Sequence, residues 1–134
     1  MAKSIMLSIH PKWAEKIYSG EKTIEWRKTY PKKLWYGGQK VFIYETRPIG
    51  KITGYFVLKN IDYYDKNGKD AKFLIKENVE RMGCVSITEL NKYQGNGECV
   101  YAWEIVEAVK YENPQTLADF GLKRAPQSWQ YVEV

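Results

Sequence analysis

Histidine is nearly absent: His10 is the one imidazole in the chain. Cysteine is almost as scarce, and Cys84 and Cys99 have neither CxxC spacing nor a histidine-rich context. A structural zinc site is therefore not expected, and no metal or cofactor is assigned from the sequence. Two isolated thiols are most simply free thiols of a reducing compartment. Long hydrophobic runs are missing too. The apolar stretch within Met1 to Ile9 is too short for a signal peptide or a membrane span, so a cytoplasmic protein with no membrane partner is expected. There is no internal repeat and no low-complexity tract. With 134 residues, the simplest organisation is one domain.

What is abundant is aromatic and basic. Aromatics make up 15%, with 5 Trp and 11 Tyr, and hydrophobic residues 44%, enough for a core. Lys and Arg number 21 against 16 Asp and Glu, a net charge of +5. That balance suits an anionic partner such as nucleic acid. It equally suits a small protein kept soluble by its charge.

Ile5 to Ile9 reads as a buried first strand. His10-Pro11 then opens a helix, with Trp13, Ala14, Ile17 and Tyr18 at helical spacing and Gly20 as its C-terminal cap. Lys22 to Lys28 reads as the next strand, and Thr29 to Gly38 as a loop. That loop region interleaves Lys28, Lys32 and Lys33 with Tyr30, Trp35 and Tyr36, charge for phosphate beside rings for stacking. A solvated basic loop with Trp35 tucked inward is the alternative.

Val41 to Tyr44 is apolar on both faces, hence a central strand. Arg47 to Gly50 is a turn, and Lys51 to Asn60 the returning strand, with Gly54 marking a bulge. Tyr63 to Asp70 reads as a polar loop and Ala71 to Arg81 as helical. Ser86 to Glu89 fits a capping box opening a helix to about Tyr93. Cys99 to Tyr111 is a long strand ended by Asn113-Pro114. Thr116 to Phe120 is one capped turn closed by Gly121, and the chain finishes on an edge strand after Ser128. Strands outnumber short helices, and crossover helices are mostly missing. The expected class is α+β, a small mixed β-barrel with flanking short helices.

One stretch organises the rest. In Gly20-Glu21-Lys22-Thr23-Ile24-Glu25-Trp26-Arg27, strand alternation puts Glu25 and Arg27 on one face and Ile24 and Trp26 on the other. Lys22 has the wrong parity to join Glu25 from a regular strand. It can do so only from the loop that Gly20 permits.

Gly20, Lys22, Glu25 and Arg27 stand at the GxKxxExR spacing of ASCH domains, a branch of the PUA-like superfamily. The chain resembles that family over essentially its whole length. Leu7 to Ile17 looks like the strand and helix that lead into the motif, and Pro126-Gln127-Ser128-Trp129 resembles the end of some members. The resemblance implies a small β-barrel around a cleft, and a role with RNA or nucleotides. Some relatives are enzymes, one an amidohydrolase of acetylated cytidine and one RNA-cleaving. Lys22 matches the amidohydrolase's lysine. The chain departs from it where that enzyme has its nucleophilic threonine, since Glu25 stands there; Glu77 and Glu80 lie in the neighbourhood of its glutamate.

The expected function is accordingly RNA or nucleotide binding in a cleft floored by Lys22, Glu25 and Arg27. Lys28, Lys32 and Lys33 would stand at its rim, with Tyr44, Arg47, Lys51 and Ser128 as further cleft candidates. Lys22 offers a cation for phosphate, or a base if burial lowers its pKa. Glu25 can orient Lys22, accept from an exocyclic amine or act as general acid/base. Arg27 offers a planar fork for a phosphate or a carboxylate. The rival is a hydrolase of modified nucleosides or a ribonuclease, with Lys22 and Glu25 as catalytic candidates and water, Thr23 or Ser128 as nucleophile. A protein-interaction module using exposed aromatics is a third class. His10 reads as a helix cap, and Trp26 and Trp103 as core.

Overall fold

The structure, a computed structural model, describes residues 3–32, 38–66 and 76–133; in 3 and 76–79 only the backbone is described. The elements run β1 (Lys3–Ile9), α1 (Pro11–Ser19), β2 (Ile24–Arg27), β3 (Gln39–Glu45), β4 (Lys51–Tyr64), α2 (Lys76–Gly83), α3 (Ile87–Gln94), β5 (Val100–Gln115), a 3₁₀ turn (Ala118–Phe120) and β6 (Trp129–Glu133). Among the described residues the strands form one six-stranded sheet in the order β2-β5-β4-β3-β1-β6. β1 and β3 are parallel, and the other pairs are antiparallel. The class is mixed α+β with few helices, as the strand-rich pattern implies.

The expected closed barrel is not what the pairing gives. β2 and β6 end the sheet, and no ladder joins them among the described residues. A side chain bridges the gap instead: Trp129 Nε1 of β6 donates to Thr29 Oγ1, just past β2, at 2.9 Å. β2 is four residues long, and Pro31 shortly after it has no N–H with which to extend a ladder.

Sheet curvature has an identifiable source. The β3–β4 register slips between Ile43 and Tyr44, opposite Gly54 and Ile52, so β4 carries an extra residue, Thr53, beside the glycine that predicted a bulge. Gly54 is needed there because a Cβ would overlap Val109 O and lie 2.6 Å from Tyr18 Oη. One face of the sheet packs Ile5, Leu7, Ile9, Val41, Ile43, Phe56, Leu58 and Trp103 against Ala14 and Ile17 of α1. A second cluster joins Ile24, Trp26, Val100 and Ala102 to Leu90 of α3.

Several boundaries differ from the sequence reading. β2 starts at Ile24 rather than Lys22. β4 continues through Tyr64, so Tyr63 and Tyr64 are strand rather than loop. β5 runs through Asn113-Pro114 to Gln115. Past Ile105, β5 has β4 on one side only, so a proline without an N–H is tolerated on the open side. The expected helix over 71–81 lies partly outside the described residues, as do Lys33, Trp35 and Tyr36; α2 itself is Lys76–Gly83. His10 does cap α1, its Nδ1 accepting from Lys12 N, and Gly20 closes it at φ 86°.

Candidate functional site

Gly20 turns the chain out of α1, and Lys22 follows before any strand pairing begins. Its N–H is held by Lys16 O at 3.0 Å, and Thr23 N–H by Met82 O at 2.8 Å. The loop is thereby pinned between α1 and the end of α2. Lys22 points inward and is 3% exposed. Its ammonium donates to Gly83 O at 2.6 Å and lies 3.5 Å from Glu25 Oε1 and 5.2 Å from the Trp13 ring centre. An ammonium has three protons, and these two oxygens leave one of them uncommitted.

Glu25 comes from β2 with its side chain on the Trp103 side of the sheet. Its two oxygens are divided between the cations. Oε1 faces Lys22, and Oε2 takes Arg27 Nε at 2.8 Å and Nη2 at 2.7 Å. Arg27 is further committed: Nη1 donates to Ser128 Oγ at 3.1 Å and Nη2 to Ser8 O at 2.7 Å. The Ser128 segment is itself anchored, because Ser8 N donates to Ser128 O and Ser8 Oγ to Pro126 O. The guanidinium thus ties β2 to β1 and to the lead-in of β6, across the side of the sheet that has no ladder.

These groups meet at a cavity of about 380 Å³ lined by Trp13, Lys22, Glu25, Trp26, Arg27, Val85, Glu89, Leu90 and Tyr93. Burial holds Lys22 below the ordinary lysine pKa, and Glu25 partly offsets this. Burial raises the Tyr93 phenol above its usual value. Lys12 sits 4.7 Å over the Trp13 ring and Lys28 4.9 Å over the Tyr93 ring, so the cavity's two outer aromatic walls each carry an exposed ammonium.

The convergence of Lys22, Glu25 and Arg27 is what the motif spacing led us to expect. Other candidates lie elsewhere. Ser128 touches Arg27 but does not line the cavity. Lys32 lies over Tyr30, 5.7 Å from its ring centre, outside the lining. Tyr44 packs with Met6, Phe42, Ile52 and Val132 on the other sheet face, and Arg47 and Lys51 are exposed around the β3–β4 turn. Glu80 accepts from Ile87 N at 2.8 Å and so caps α3; the side chain of Glu77 lies outside the described residues.

Trp13, Trp26, Val85, Glu89, Leu90 and Tyr93 entered no sequence-based site. The capping box at Ser86 and Glu89 did place α3, whose Oε1–Ser86 contacts now sit at the cavity wall. Nothing in the one-dimensional pattern said that α3 would fold back over β2.

Comparison with known proteins gives the same family that the sequence resembles. The family model described as "ASCH domain" matches residues 7–115. The chain is 28% identical over 131 residues to the ATP synthase subunit alpha of Ureaplasma parvum, and 27% identical over 134 residues to large ribosomal subunit protein uL22 of that species. It spans 15% and 40% of the length of these curated relatives, and 98% of its own length is covered in each case. Over 65 residues, 48% of this chain and 43% of the relative, it is 34% identical to an ASCH domain-containing ribonuclease of Zymomonas mobilis. The crystal structure of ASCH from Zymomonas mobilis superposes with a TM-score of 0.79 at 24% identity, covering 97% of this chain and 87% of that one. At that identity the likeness establishes the fold alone.

Proposed function

This chain belongs to the ASCH domain family, and we propose that its cavity binds RNA or a nucleotide, seating one unstacked residue against Trp13 and Tyr93 above Lys22 and Glu25. The observation that carries this reading is the ring-and-lysine pairing around one hollow. Lys12 over Trp13 and Lys28 over Tyr93 supply exposed cations at the mouth, while Lys22 and Glu25 supply a donor and an acceptor at the floor. Aromatic faces for bases and cations for phosphates are what an unpaired strand needs. A relative named an ASCH domain-containing ribonuclease supports an RNA ligand.

In this reading Lys28, with Lys12, Lys32 and Lys33, meets phosphates, Glu25 accepts from a base amine, and Arg27 and Ser128 position Glu25. The test is affinity for a short single-stranded RNA measured against salt. Replacing Lys12 and Lys28 with Ala removes two phosphate contacts. The slope of log K on log salt should then fall by about 1.4, at roughly 0.7 per contact for a single strand. An unchanged slope overturns the assignment.

A second reading, hydrolysis of RNA or of a modified nucleoside, is favoured by one observation. Lys22 is a buried amine with a lowered pKa at an open cavity, the kind of group that serves as a base. Turnover of RNA or of an acylated cytidine, abolished by Lys22→Met, would support it. Binding without turnover of either would leave the domain a binding module.

A further inference from the structure

The cavity's position relative to the sheet limits what can occupy it. Its lining comes from elements packed on both faces of the sheet at β2, Trp13 of α1 on one and Leu90 and Tyr93 of α3 on the other. Glu25 and Arg27 point to the side of Trp103 and α1, and Trp26 to the side of α3. A hollow lined from both faces must lie over the free edge of the strand, and β2 is an edge strand.

Backbone parity then says which groups face it. In an antiparallel pair, residues whose N–H and C=O point at the partner alternate with residues whose groups point away. Ile105 N donates to Thr23 O at 2.9 Å, in line with the register that sets Ile24 against Glu104. The Thr23 carbonyl, Glu25 and Arg27 therefore address β5, and Ile24, Trp26 and Lys28 address the open edge; the Thr23 N–H, ahead of the regular strand, turns away from β5. The ends of this edge are occupied. Met82 O takes the Thr23 N–H at one end, and the Lys28 backbone hydrogen-bonds the Tyr93 hydroxyl at the other. Trp26 stands between them, and no ladder partner faces it among the described residues.

We propose that the outward N–H and C=O of Trp26 read the hydrogen-bonding edge of a single nucleobase, which lies in the plane the next strand would have occupied, with Trp13 over one face and Tyr93 over the other. This rests on the reading of the cavity as a nucleotide site. The backbone pair offers one donor and one acceptor side by side. It matches a base edge that carries a ring acceptor next to an amine, or a carbonyl next to a ring N–H. An added peptide strand would need the same edge. It would have to run past both Met82 and Tyr93, and about 380 Å³ holds a compact planar group rather than an extended chain. The exposed Lys12 and Lys28 on the flanking rings suit an occupant carrying phosphate.

The experiment is a titration of the ¹⁵N-labelled protein with AMP, CMP, GMP and UMP, followed by backbone amide shifts and hydrogen exchange. For the nucleotide that moves the Trp13 and Tyr93 ring signals, the Trp26 backbone amide should shift. Its exchange should slow at least tenfold, while the Glu25 and Arg27 amides, already paired with β5, stay put. The same nucleotide dimethylated on its base amine, or methylated on its ring N–H, should bind at least tenfold more weakly. Ring shifts with an unmoved Trp26 amide overturn the edge readout and leave the nucleotide site standing. No ring shift with any of the four overturns both.

Discussion

Replacing Arg27 separates a residue that builds the site from one that touches ligand. Its side chain is 13% exposed, and the guanidinium is spent on Glu25 Oε2, Ser128 Oγ and Ser8 O. Arg27→Ala leaves Glu25 buried with a single cation 3.5 Å away, and leaves Ser8 O without its donor. Removing one member of a buried ion pair costs about 3–5 kcal/mol. Arg27→Lys keeps a charge beside Glu25 but loses the fork, and with it the bonds to Ser128 and Ser8. At about 1–3 kcal/mol for partners left unsatisfied, the lysine variant should fall between wild type and alanine. The assay is urea unfolding at pH 7 with m-values compared, together with a double-mutant cycle against Glu25→Gln. Strong negative coupling is expected, since each change removes the other's partner. The folded Arg27→Lys protein should bind single-stranded RNA with an unaltered salt slope, because no guanidinium contact goes to phosphate. An alanine variant within about 0.5 kcal/mol of wild type, or a lysine variant with a flattened slope, would refute the positioning role.

Other expectations follow from the same geometry. Gly83→Ala puts a Cβ into Trp26 Nε1, so it should cost about 1–3 kcal/mol by overpacking and weaken nucleotide binding by displacing the wall that bears Val85 and Tyr93; chemical denaturation and RNA affinity both report it. Ser86→Ala breaks a capping box and should cost about 1 kcal/mol in thermal or urea unfolding. Because burial lowers the Lys22 pKa, the unfolded chain holds a proton that the folded chain has released between that lowered value and the ordinary lysine range. This group's contribution to stability therefore rises with pH through that window, and Lys22→Met should remove the rise. The difference between wild-type and Lys22→Met stability–pH curves cancels the tyrosines common to both. In ¹³C titrations of the lysine Cε signals, Glu25→Gln should lower the Lys22 pKa further.

Local signals in this chain were legible because local chemistry decides them. His10-Pro11 and Gly20 bound α1, Ser86 and Glu89 open α3, and Gly54 marks the bulge in β4, each through its own backbone requirement. The meeting of Lys22, Glu25 and Arg27 was legible for the same reason, as a few residues between a glycine exit and a short strand. What was not legible depended on distant partners. The openness of the sheet depends on whether β2 and β6, about a hundred residues apart, pair with each other. Strand continuation through Pro114 is set by the absence of a neighbour there. The cavity wall comes from α3, some sixty residues further along the chain, held by Lys22 on Gly83 O and by the Leu90–Trp26 cluster. Arg27 offered a fork for a phosphate or a carboxylate; that its donors go to Ser8 and Ser128 as well as to Glu25 depended on segments distant in sequence.

The central claim is that a base enters the hollow between Trp13 and Tyr93. A crystal of the protein soaked with the nucleoside monophosphate that binds best in solution tests this directly. The account predicts planar ring density over the open edge of β2, with its phosphate toward Lys12 or Lys28. Density for the nucleotide on the opposite sheet face, near Tyr44 and Tyr55, with the hollow empty at a saturating concentration, would contradict it.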